Sequence, residues 1–127
     1  MAKAKILIVD DDPGILVMLR LMLRLEGYEP LTCEDAGEVV NMVSQDKPDL
    51  VLLDAMMPQF DGLTVLSMLK AEDLPHRPPV ILFTGNVDEG YINRALEAGA
   101  RGVLIKPFVK EDLLDKIRGF LKTAGGK

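Results

Sequence analysis

Five short strand-like runs recur along the chain, most of them continuously apolar, and each is followed by a stretch with helical periodicity. They are KILIV (5–9), PLTCE (30–34), LVLLD (50–54), VILFT (80–84) and GVLIK (102–106). Continuous apolarity reads as a strand covered on both faces, the condition of a parallel sheet between helix layers. The intervening apolar residues repeat at three and four. Ile15, Met18, Leu19, Met22, Leu23 and Leu25 form the first such face, and Ala36, Val39, Val40 and Val43 the second. Leu63, Leu66 and Leu69 follow, then Ile92, Ala95, Leu96 and Ala98, and last Leu113, Leu114, Ile117 and Leu121. Asp12 before Pro13 is a helix start, Gly27 and Gly99 are helix stops, and PHRPP (75–79) is a loop. Strand–helix alternation repeated five times predicts a doubly wound α/β sandwich with right-handed crossovers. The strand order 2-1-3-4-5 suits five strands, and puts a switch point between strands 1 and 3.

At 127 residues the chain suits a single domain, here 1–127 with a core over about 5–121. A net charge of −5 argues against direct nucleic-acid binding, which needs a basic face. The lone Cys33 cannot form an internal disulfide and reads as a small apolar filler in a reducing compartment. With neither a secretory pattern at the N-terminus nor an apolar run of spanning length, a soluble cytoplasmic protein without membrane contact is expected.

The strand ends carry the chemistry. Strand 1 runs into Asp10 and Asp11, strand 3 ends in Asp54, strand 4 in Thr84 and strand 5 in Lys106. Ligands of doubly wound sheets bind outside these carboxyl ends, at the switch point. A single acid there is a turn or cap residue, and Asp12 is read that way. Acids on both strands flanking the switch point, with a lysine on the same rim, are not explained by caps. Clustered carboxylates repel, so they imply a cation; few carboxylates, with water and phosphate oxygens completing the shell, suggest Mg2+, with Mn2+ as a substitute. A carboxylate beside such an ion is a competent nucleophile toward phosphorus. Asp54 would be that nucleophile, with Lys106 and Thr84 meeting the phosphoryl oxygens. His76, among prolines, is a loop residue and no phosphodonor, so phosphate would arrive in trans.

The ordered motifs LIVDDDP, LLDAMMPQFDG, FTG and GVLIKPF, over about Lys5 to Leu121, resemble the receiver domain of the two-component response regulator family. That resemblance implies a CheY-like, flavodoxin-like (βα)5 fold. It implies metal ligation by Asp10, Asp11, Asp54 and the backbone carbonyl of Met56, phosphorylation of Asp54, a switch hydroxyl at Thr84 and a phosphate-contacting Lys106. It also implies a cis Lys106–Pro107 bond, and a loop shaped by Pro58, Asp61 and Gly62 for turn geometry. The implied partners are a histidine kinase or histidine phosphotransfer protein, and a downstream protein target or an output domain. Phosphorylation-dependent dimerisation through the fourth and fifth helices is left open. Such a domain catalyses its own phosphorylation and dephosphorylation without being an enzyme in the ordinary sense.

This chain departs from the pattern in having Val103 where many receivers carry an aromatic toggle on strand 5. Met56 and Asn86 flank the site where phosphoryl lifetime is tuned. An apolar Met56 cannot orient a hydrolytic water, so slow self-dephosphorylation is expected. Val17 and Leu21 fall on the wet side of the first helix, beside Arg20 and Arg24. They are either scattered surface apolar residues or a docking patch for a donor helix. Three competing functions are weaker. A phosphohydrolase of the aspartyl-nucleophile kind would have an acid where Met56 stands. A flavin module would have a Gly/Ser/Thr loop after strand 1. An inactive receiver would lack the site residues.

Overall fold

A computed structural model describes residues 3–58 and 60–124. The strands are β1 (Lys5–Val9), β2 (Glu29–Cys33), β3 (Leu50–Asp54), β4 (Val80–Thr84) and β5 (Gly102–Ile105). The helices are α1 (Pro13–Leu25), α2 (Val39–Asp46, entered through a 3-10 turn at Ala36–Glu38), α3 (Gly62–Ala71), α4 (Glu89–Glu97) and α5 (Lys110–Ala124). All strand pairs are parallel and the order is β2-β1-β3-β4-β5, as the alternation predicts. No helix among the described residues is long and apolar enough to cross a membrane.

Successive strand residues point to opposite faces, which divides the core in two. Leu7, Val9, Val51, Leu53 and Leu82 pack with Val39, Val43, Val65, Leu66, Tyr91 and Ala95 of α2, α3 and α4. Ile6, Ile8, Leu50, Leu52, Ile81 and Phe83 pack with Leu16, Leu19 and Leu23 of α1 and Leu113, Leu114 and Ile117 of α5. Each such aliphatic side chain, fully buried, contributes about 1.5–3 kcal/mol. β3 lies at the centre with every residue buried, which accounts for LVLLD being apolar throughout.

Helix ends follow local chemistry. Asp12 caps α1 by accepting from the Gly14 N–H at 2.9 Å, with Pro13 in the first turn. Gly27, at φ 91°, lets the chain leave that helix in a left-handed turn. Asp61 caps α3 by accepting from the Thr64 N–H at 2.8 Å. Gly62 then passes so close to the sheet that a Cβ there would lie 2.5 Å from Leu82 Cδ1 and 3.0 Å from Ala55 Cα.

The periodic readings need correction in places. β2 begins and ends one residue earlier than PLTCE, and β5 stops at Ile105, leaving Lys106 just beyond it. On α1 the buried residues are Leu16, Leu19 and Leu23, while Met18 and Leu25 are exposed. The helix lies against β1 and β2, and its core stripe is narrower than its apolar content suggests. On α4 the core residues are Tyr91 and Ala95, and Leu96 is exposed. His76 is a loop residue, its Nε2 against the Pro48 carbonyl.

Candidate functional site

Strand register brings the strand-end residues together. Val9 pairs with Leu53, Asp54 with Phe83 and Thr84 with Ile105, so Asp10, Asp54, Thr84 and Lys106 fall along one rim. Asp10 is 1% exposed and Asp54 5% exposed, while Asp11 lies open to solvent. Each of the three offers a carboxylate oxygen, and these oxygens lie within 4.8 Å of one another.

Asp10 Oδ1 accepts from the Asp12 N–H at 2.9 Å, but its Oδ2 is buried with no hydrogen-bond partner. Burial pushes the Asp10 carboxyl up to about 6; the Asp12 N–H opposes this, the Asp54 charge adds to it, and Lys106 pulls it back. Asp54 Oδ1 accepts from Lys106 Nζ at 3.1 Å and from the Met56 N–H at 3.3 Å. Lys106 reaches Asp54 across the Phe83 ring, with Nζ 5.0 Å from the ring centroid. Its backbone N–H donates to the Thr84 carbonyl at 2.8 Å, and the Lys106–Pro107 peptide is cis. Thr84, 1% exposed, accepts at Oγ1 from the Asn86 N–H at 3.0 Å.

The donor set is all oxygen, and one buried oxygen has no partner. Both properties suit a hard divalent cation, since such an ion satisfies the orphaned oxygen and relieves repulsion among three acids. The same rim places the nearly buried Asp54 carboxylate beside the part-exposed Lys106 ammonium. Met56 is 71% exposed at the mouth, and its backbone is tied to Asp61 by a bridge that closes the loop after β3.

Three features escaped the sequence reading. Phe83 supports the Lys106 side chain, yet in the sequence it is one apolar residue within an apolar strand. Asn86 was read only as flanking the site, but with Asp88 it forms successive polar links into α4. Tyr91 is buried under α4, and its only sequence signal is the four-residue spacing to Ala95. Val103 sits half-buried on β5, with no aromatic side chain at that point.

The response regulator receiver domain family matches residues 6–118, nearly the whole of this fold. The chain belongs to that family. This receiver domain is similar to the DNA-binding response regulator MtrA of Mycolicibacterium smegmatis, at 34% identity over 120 residues, 94% of this chain and 51% of that protein. The chain thus spans about half the length of the curated relatives it matches. Among solved structures, a CheY-like response regulator receiver domain protein from Methanospirillum hungatei superposes with a TM-score of 0.88 at 33% identity, covering 98% of each chain. The receiver domain of the sensor histidine kinase PA1611 from Pseudomonas aeruginosa superposes with a TM-score of 0.84 at 28% identity, covering 95% of this chain and 99% of that one. That structure carries a magnesium ion in its active-site cleft.

Proposed function

We propose that this receiver domain is a phosphoacceptor switch in which Asp54 takes a phosphoryl group from a histidine kinase or histidine phosphotransfer protein. The observation that carries the reading is the Lys106 Nζ to Asp54 Oδ1 contact of 3.1 Å, beside a three-carboxylate group with an unpartnered buried oxygen. In the proposed step an Asp54 oxygen bonds to phosphorus as the bond from phosphorus to the donor imidazole nitrogen breaks. The product is an aspartyl phosphate and a free imidazole. Lys106 turns from the carboxylate to a phosphoryl oxygen, and the Thr84 hydroxyl donates to another. A divalent ion held by Asp10, Asp11, Asp54 and the Met56 carbonyl, Mg2+ or Mn2+, supplies further neutralisation of the phosphoryl oxygens. Hydrolysis later returns the carboxylate and inorganic phosphate. Met56 offers no proton to a leaving group, which favours a lasting adduct over phosphohydrolase turnover.

In this reading 1–127 works as one receiver domain in the cytoplasm, without direct nucleic-acid or membrane contact of its own. Its output passes to a protein target or to an output domain. The exposed apolar residues Val17 and Leu21 of α1 suit a donor helix docking beside the site. Intact-mass spectrometry after incubation with phosphoramidate tests the proposal. One phosphoryl adduct is expected with Mg2+, and none with chelator or in Asp54→Asn. Release of phosphate with no adduct at any time would favour a hydrolase.

A further inference from the structure

The Thr84 hydroxyl is the first rung of a hydrogen-bond ladder leading into α4. Thr84 Oγ1 accepts from the Asn86 N–H at 3.0 Å, and Asn86 Oδ1 accepts from the Asp88 N–H at 2.9 Å. Asp88 Oδ2 then accepts from the Tyr91 N–H at 3.3 Å, as the N-cap of α4. Asn86, Val87 and Asp88 are all exposed, so water competes for each rung and the ladder reorganises at small cost.

At the top of the ladder Tyr91 is 8% exposed, and its hydroxyl is buried with no hydrogen-bond partner. Among the described residues only one other buried side-chain polar atom shares that condition, Asp10 Oδ2 in the acid group. A buried phenol oxygen normally finds a partner, so an unsatisfied one is a feature that a second arrangement of the helix can relieve. Burial raises the Tyr91 pKa; the charges of Asp61 and, more weakly, Asp54 add to it, and Arg94, 5.9 Å from the ring centroid, opposes them. On β5, by contrast, Val103 has nothing to rotate and no polar tip to pair.

We infer that Asn86 and Asp88 are positioning residues for the Thr84 hydroxyl, and that Tyr91 on α4 is the aromatic group that answers phosphorylation in this chain. The inference rests on the phosphoacceptor reading of Asp54. Toward Asn86 the hydroxyl only accepts, so its proton is free to donate, and a bond from it to a phosphoryl dianion is roughly twice as strong as a neutral one. Turning Oγ1 toward Asp54 takes it from the Asn86 N–H. The released Asn86 no longer holds the Asp88 N–H, the α4 cap loosens, and the first turn shifts until the Tyr91 hydroxyl gains a partner.

The test uses the full chain carrying Tyr28→Phe. The protein has two tyrosines and no tryptophan, so Tyr91 becomes the sole phenol. It is loaded with phosphoramidate and Mg2+, and intact mass is read on the same sample. On loading, amide exchange at Asn86, Asp88 and Tyr91 should accelerate by about tenfold or more. The Tyr91 ring doublet in ultraviolet resonance Raman should move to its hydrogen-bonded ratio. Asn86→Ala and Asp88→Ala should take up the phosphoryl group without the Raman change, and Asp88→Asn, which keeps an acceptor, should restore it. An adduct on Asp54 with unchanged amides and an unchanged phenol would overturn the inference, as would a full response in Asp88→Ala. Failure to form any adduct would instead remove the phosphoacceptor reading on which it stands.

Discussion

A carboxyl group as buried as Asp10, titrating near pH 6, couples proton, cation and fold. Its folded pKa lies above the ordinary 3.8, so the folded state holds the proton more tightly. The stability this gives is fully present below about pH 4 and is lost as pH rises through about 6. The loss is on the order of 3 kcal/mol at most. Asp10→Asn is therefore expected to stabilise the cation-free protein at pH 7.5, measured by urea denaturation in chelator. Mg2+ should stabilise the wild type at pH 7.5, much less at pH 5, and the Asn variant hardly at all. Equal stabilisation at both pH values would contradict this account of Asp10. Met56 gives a second prediction at this scale. Met56→Glu or Met56→Asn adds a polar group able to orient water at the mouth, and should shorten the aspartyl-phosphate lifetime several-fold once the phosphodonor is removed with Mg2+ retained. An unchanged decay rate would show that the exposed thioether is not what slows hydrolysis.

At the scale of elements, the loop from β3 to α3 is fixed by contact as well as by its turn residues. The Gly62 N–H donates to the Ala55 carbonyl at 2.7 Å, and there is no room for a Cβ against Leu82 and Ala55. Gly62→Ala should cost about 1–3 kcal/mol in chemical denaturation, a typical penalty for overpacking. A neutral effect would mean that the helix can shift away from the sheet. α1 supplies the other test. Val17, Met18, Leu21 and Leu25 are exposed together on one helix, with Leu16, Leu19 and Leu23 turned inward. Val17→Glu with Leu21→Glu should leave phosphorylation by phosphoramidate unchanged and slow transfer from a phosphohistidine donor protein by about tenfold. Equal rates from both donors would return this stripe to ordinary surface. The same helix marks the limit of periodicity as a guide. Apolar residues surround most of α1, so spacing alone could not choose Leu16 over Met18; the way the helix lies over β1 and β2 made that choice.

For the whole molecule, strand order and rim chemistry were legible because each follows from a local rule. Continuously apolar β1, β3 and β4 require helices on both faces, and parallel crossovers then fix where Asp10, Asp54, Thr84 and Lys106 must emerge. Contacts between distant side chains were not legible. Nothing in VILFT says that the Phe83 ring will carry the Lys106 ammonium, and nothing in DEGYINRA says that the Tyr91 hydroxyl will be left without a partner. Those depend on how helices tilt over the sheet, which side-chain volumes decide collectively. The central claim is chemical: the buried carboxylate at the end of β3, held by Lys106 and flanked by two acids, accepts a phosphoryl group when a divalent ion is present. Borohydride reduction of phosphoramidate-treated protein, followed by peptide mass mapping, reads this directly, since an acyl phosphate is reduced to an alcohol. The account predicts homoserine at position 54 and nowhere else, formed with Mg2+ and absent in chelator. Reduction at another carboxylate, or equal labelling without the ion, would contradict it.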